Sequence, residues 1–303
     1  MSAISEGPQA PLKHVPASLY AAMGLMTLLW SMNYYAAKVL TSELWAFPAA
    51  GLRSVIGALI IVVHYFAMRG ARTPAGGFRS TLPFMGLGIV GVGFNQYFFV
   101  EGMSRTSVSH GALIIALTPA IVLVLAALMG QERITPIKVA GLVLAMSGIA
   151  FLQAGADRSK GATLLGDLIV FGASTSFGTY TVLTKRLAGQ ADGMTVVTYG
   201  FIGSALAFVP GLAWALPQIP YATIGIKTWL ALLYMSAASS VVCYVIYYRA
   251  LESLPASRVS ALSYLQPLVA ITTAIPLLGE PITTTLVIGG ALILTGVLLA
   301  ERG

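Results

Sequence analysis

The chain has 303 residues, 57% of them apolar and only 9% charged, with a mean hydropathy of +0.85. Soluble domains run nearer about 45–50% apolar and about 25% charged, so this chain lacks the charge to cover a water-facing surface, and a soluble enzyme is excluded. The net charge of +7 then reads as the lysine and arginine excess that orients membrane loops, not as a nucleic-acid footprint.

A membrane crossing takes about 20 residues, so about ten crossings use up the chain and leave no room for a separate soluble domain. After a polar tail (Met1 to Lys13), the first predicted span covers 18–39. It is too long for a signal-peptide core and other spans follow, so it is expected to be retained. It carries Trp30, Asn33, Tyr34 and Tyr35, with Lys38 at its end. Span two (48–68) holds Arg53 and His64, and span three (81–103) holds Asn95, Gln96 and Tyr97. Span four (108–129) contains Pro119, and span five (135–154) contains Gly141 and Gly148. The longest interruption is 154–162. Then come span six (164–186) with Tyr180, span seven (193–215), and span eight (226–250) with Tyr244, Tyr247 and Tyr248. Span nine (257–278) carries Tyr264, Gln266 and Pro267, and span ten (283–300) carries Gly289 and Gly296.

The halves repeat. At a shift of 148, Ser109, Leu117, Pro119, Glu132, Ile134, Thr135, Gly141 and Gly148 fall on identical residues, and at 147 Lys38 falls on Lys185. Two units are therefore expected, 1–156 and 157–303. Five spans per unit is an odd number, so the second must enter the membrane from the opposite side; such inverted repeats occur in many secondary transporters. With the N-terminus inside, eleven lysines and arginines fall in cytoplasmic segments and five on the other side, which places both termini in the cytoplasm. The expected fold is an all-α membrane protein, ten helices in two inverted repeats around a central cavity.

Few residues within the spans carry chemistry. Pro119 and Pro267 each remove a backbone donor at mid-span, leaving the carbonyls of Ile115 and Ser263 without helical partners; at matched repeat positions they read as cavity-lining hinges, with a packing kink as the plainer alternative. Amides are costly against lipid, so Asn33, Asn95, Gln96 and Gln266 should face the interior, as a binding surface or as interhelical hydrogen bonds. Tyr34, Tyr97, Tyr180, Tyr244, Tyr248 and Tyr264 complete the candidate substrate-binding set, and Lys38 is a candidate for attracting a carboxylate. Arg53 is the deepest ionisable group and a functional candidate, unless it snorkels outward. Only Glu101 and Asp167 approach a span interior among the acids. No carboxylate pair resembles a proton relay, and there is no ATP-binding P-loop and no metalloprotease motif. The single cysteine, Cys243, forms no intramolecular disulfide, and no metal or cofactor is expected. The glycines of spans five and ten suit close helix packing, either within the chain or at a dimer face.

Leu28-Leu-Trp30-Ser-Met-Asn33 followed by Lys38 and Arg53, the segment Arg249 to Leu262, Gln266-Pro267, and Leu278-Gly-Glu280-Pro with Gly289 and Gly296 together resemble the drug/metabolite transporter superfamily, in its ten-span EamA-type branch. The resemblance implies a cavity formed by spans one, three, four, six, eight and nine, alternating access between the halves, and export of small metabolites. The aromatic candidate cavity is more weakly similar to that of amino-acid exporters, including aromatic ones. The Gln131-Glu132-Arg133 turn departs from the Gly279-Glu280-Pro281 of the second half, so identical gating in the two halves is not expected. The expectation is a secondary transporter of a bacterial-type cytoplasmic membrane whose partners are the bilayer and a small solute, not nucleic acid. A drug or toxic-cation exporter, which would want an embedded acid, and a non-transporting assembly subunit, which would have no polar cavity, are the alternatives.

Overall fold

The structure is a computed structural model and describes residues 16–69, 77–130, 132, 134–154, 162–187, 190–253 and 265–302. Among those residues the chain forms ten helical runs and no strand. They are α1 (Ala17–Thr41), α2 (Ala46–Arg69), α3 (Phe78–Arg105), α4 (Val108–Leu128) and α5 (Pro136–Ala154). The second set is α6 (Leu164–Arg186), α7 (Gly193–Ala215), α8 (226–253), α9 (Leu265–Leu278) and α10 (Thr284–Arg302). Lipid offers no hydrogen bonds, so a crossing segment must satisfy its backbone internally, and a helix does so. Among the described residues six helices, α2, α3, α4, α5, α7 and α8, are long and apolar enough to cross a membrane. α1 and α6 are equally long, at 25 and 23 residues, but hydroxyls and amides such as Ser31, Asn33, Ser174 and Ser176 dilute their apolarity. Those four side chains are buried or nearly so.

The helix ends follow ordinary capping chemistry. Thr135 and Thr283, matched in the repeat, accept from Lys138 N and Leu286 N at 3.3 and 3.1 Å and start α5 and α10. Gly130 and Gly279 close α4 and α9 with φ of 69° and 66°, a left-handed turn that a side chain would strain.

α5 and α10 pack through their glycines. A Cβ on Gly141 would lie 2.5 Å from Gly296 O, and one on Gly148 would lie 2.8 Å from Gly289 O. The pairing 141 with 296 and 148 with 289 makes the two helices antiparallel. The small-residue stripes are thus an internal contact of the chain, which decides between the two readings of the sequence. The outward faces of these helices, including Val143, Met146, Val287 and Ile288, are exposed and apolar, as lipid requires.

Two mid-helix stretches widen beyond α-geometry. Ile89–Phe94 in α3 and Met235–Val242 in α8 are π-turns, at positions matched by the repeat. Such turns widen a helix by one residue and recur at functional sites. Each lies directly before residues that face the centre of the bundle. α4 is also interrupted: Ala116 and Leu117 form a turn between Val108–Ile115 and Thr118–Leu128, ahead of the buried Pro119. The Ile115 carbonyl that Pro119 leaves free accepts from Thr118 Oγ1 at 2.6 Å.

Candidate functional site: a central polar and aromatic cavity

A cavity with about 680 Å³ of non-atom space, part of it open to solvent, lies within the bundle. α1 supplies Trp30, Asn33 and Tyr34, α2 supplies Arg53, and α3 supplies Asn95 and Phe99. Ile115 and Thr118 come from α4, Ser174 and Phe177 from α6, Tyr244 from α8 and Gln266 from α9. These are the six helices expected from the resemblance, joined by α2 through Arg53.

The walls are aromatic. Trp30 meets Phe177 and Tyr244 edge-on, each at 6.4 Å between ring centroids, and its indole N–H is anchored on Ser239 O at 3.0 Å. Edge-to-face contacts of this kind fix ring orientation. Tyr34 packs on Phe99 at 5.4 Å.

The polar side rests on Ser240, which follows the bonding of the α8 π-turn. Its hydroxyl donates to Met235 O at 2.8 Å and accepts from Arg53 Nε at 3.0 Å and Gln96 Nε2 at 3.3 Å. Gln96 Oε1 in turn accepts from Ser54 Oγ at 2.9 Å. Arg53 is only 5% exposed, so it points into the bundle and does not snorkel. Asn95 is held by its bond to Ala173 O at 2.9 Å.

Of the residues singled out in the sequence, Asn33, Tyr34, Asn95, Tyr244 and Gln266 line the cavity together with Arg53. Gln96 stands behind the lining, in the Ser54–Gln96–Ser240 network. Tyr97 packs against Phe47 and Phe98. Tyr180 and Tyr248 share a hydroxyl–hydroxyl hydrogen bond, and Tyr180 fills the space left by Gly91. Lys38 lies at the end of α1, where its charge interacts with that of Glu280. Pro119 and Pro267 are buried beside the lining residues Thr118 and Gln266; Tyr264 and Ser263 lie outside the described residues. The sequence reading named Trp30 without placing it in the binding set, and it missed Phe99, Ile115, Thr118, Ser174 and Phe177. The repeat held the signal for two of them: shifts of 147 and 148 carry Trp30 onto Phe177 and Thr118 onto Gln266.

The acids are engaged elsewhere. Asp167 is buried and accepts from Thr106 and Gln153, with His110 Nδ1 at 2.9 Å. Glu101 pairs with Arg105. Glu132 pairs with Lys138 at 3.2 Å. Glu280, from the α9–α10 loop, caps α4 by accepting from Val108 N at 2.6 Å, Ser109 N at 3.0 Å and Ser109 Oγ at 2.6 Å.

The model of the EamA-like transporter family matches this chain twice, over residues 18–153 and 164–301. The chain belongs to the EamA-like transporter family. The uncharacterized transporter YyaM of Bacillus subtilis (strain 168) is 27% identical over 276 residues, covering 90% of this chain and 87% of the relative. A probable terminal-alkyne amino-acid exporter of Streptantibioticus cattleyicolor is 29% identical over 290 residues, 93% of this chain and 92% of that one. One solved crystal structure superposes with a TM-score of 0.65 at 20% identity, over 94% of this chain and 97% of the other, and shares the fold. This EamA-family protein is accordingly a multi-pass membrane transporter built from two copies of one domain, with no strand among its described residues.

Proposed function

We propose that this transporter exports small metabolites, amino acids including aromatic ones foremost, by alternating access to the central cavity. The observation that carries the reading is the lining itself: both family copies contribute to one cavity with aromatic walls and a polar side. Aromatic rings stack on apolar or aromatic solute groups, while amides and the guanidinium fix polar ones. A relative named as a probable amino-acid exporter supports the solute class. The reciprocal antiparallel contact of Gly141 with Gly296 and Gly148 with Gly289 supports ten spans in two inverted units, 1–156 and 157–303. In such a unit pair, one half rocks against the other around a fixed site. Pro119 and Pro267 act as the bending points. The bias of basic residues supports a bacterial-type cytoplasmic membrane with both termini inside.

Proteoliposomes preloaded with a panel of labelled amino acids test the reading. Protein-dependent efflux of amino acids, with aromatic ones among the fastest, is expected. No flux of any amino acid sinks it, and movement of organic cations alone transfers the protein to the drug-exporter reading. The same assay with and without a pH gradient separates facilitated diffusion from proton exchange.

A further inference from the structure

Among the described residues Arg53 is a cation without an anion. The ion pairs among these residues are Arg105–Glu101, His110–Asp167 and Lys138–Glu132, and none reaches it. Its ionisable neighbours are two phenols and a thiol, Tyr244, Tyr234 and Cys243. A guanidinium stays charged at any physiological pH, and a buried charge without a partner is strongly disfavoured. The Nε edge is fixed by Ser240, but Nη1 is buried and has no hydrogen-bond partner. A second orphan faces the same cavity: Asn33, 6% exposed, whose Oδ1 is buried and accepts nothing. The residues that carry one unmet donor and one unmet acceptor thus line the same cavity, and among the described residues no acid lines it.

We propose that Arg53 is the anchor for a carboxylate on the transported solute, with the Asn33 carbonyl oxygen receiving an N–H of the same solute. This deepens the transport reading and rests on it for the role of the cavity. The carboxylate supplies the missing counter-charge, and the guanidinium is the side chain best suited to hold it, through parallel N–H···O bonds. The ammonium of an amino acid meets only a neutral acceptor, so it is the lesser determinant. The solute class is therefore monocarboxylates with an apolar or aromatic body, amino acids among them. Amines that lack a carboxylate are excluded, because they would add a second positive charge beside Arg53.

Two matched series test this: L-phenylalanine, 3-phenylpropionate and phenethylamine, and L-leucine, 4-methylpentanoate and 3-methylbutylamine. Binding is read on the purified full-length protein by tryptophan fluorescence, to which Trp30 in the cavity wall contributes, and by thermal stabilisation. The acids are expected to bind at least about ten-fold more tightly than their matched amines. Arg53→Gln should weaken the acids about ten- to hundred-fold and strengthen the weak binding of the amines, whose repulsion by the guanidinium it removes. Arg53→Lys keeps the charge but loses the fork, so an intermediate, acid-selective loss is expected; it decides the matter alone if the glutamine variant does not fold. The anchor is overturned if amines bind as well as acids, if the acids keep their affinity in both variants, or if no acid of either series binds the wild type. Arg53-dependent binding without any flux removes the transport reading and leaves the anchor. Flux of amines equal to that of the acids does the reverse.

Discussion

Ser240 carries much of the site at the scale of single residues, since one hydroxyl positions Arg53 and Gln96 while closing a π-turn. None of this could be read from the sequence, where Ser240 is one small residue in an apolar run. Arg53 was legible as an outlier because any charge in a span is costly, but its direction, inward and not snorkelling, depends on partners from α3 and α8. Tyrosine composition gave the weakest guidance. Tyr244 faces the cavity, while Tyr180 and Tyr248, on neighbouring helices, bond to each other. Phenols suit lining and packing equally, and only geometry separates the two. A different single residue sets a pH response. Glu43, in the α1–α2 loop, accepts from Thr228 Oγ1 at 2.6 Å and Gly225 N at 2.8 Å. These bonds, that of Thr228 foremost, hold its carboxyl below the usual carboxylate range. A lowered folded value means that the stabilisation is present above the unfolded value and is lost as pH falls through the folded one. Melting curves of wild type and Glu43→Gln in detergent should therefore differ most near neutral pH and converge in acid; a gap that stays constant with pH counts against this account.

At the scale of helices, the apolar runs placed nine of the ten helical runs within three residues at either end, because a segment that must satisfy its own backbone in lipid has little freedom; the expected start of span nine, at 257, lies outside the described residues. The interruptions were less legible. Pro119 announced a break in α4, but the turn at Ala116 and Leu117 and the compensating Thr118 hydroxyl belong to the folded chain. Pro119→Ala restores an N–H for the Ile115 carbonyl. It is expected to straighten α4, raise the melting temperature and slow amino-acid efflux several-fold; unchanged efflux from a more stable protein would remove Pro119 from the hinges. The α5–α10 contact makes a sharper demand. A side chain on Gly148 meets Gly289 O and Ile293 at 2.8 Å, and such overpacking costs about 1–3 kcal/mol. Gly148→Leu should lower the melting temperature without altering solute selectivity, as thermal unfolding and competition binding can check.

Across the whole molecule, each family copy holds the other by a helix end. Glu43 of the first copy caps α8 of the second, and Glu280 of the second caps α4 of the first. The repeat was plain in the sequence and so was Glu280, while Glu43 drew no notice there. The targets of both were hidden, because caps that reach across 171 to 185 residues of chain leave no local pattern. Glu280→Ala strands Val108 N and both Ser109 donors and removes a carboxylate from the positive end of α4. It should loosen that face of the bundle, seen as faster hydrogen exchange at the start of α4 than in the wild type. Glu132, the repeat partner of Glu280, pairs with Lys138, and the segment matching Val108 and Ser109 in the second copy, 256–257, lies outside the described residues. The two copies agree at the π-turns. A π-turn is one residue more than an α-helix needs, in effect an insertion fossilised in the backbone. Ile89–Phe94 and Met235–Val242 carry it at the same place in both copies. The irregular turn is thus common to both copies, one on each side of the cavity it shapes.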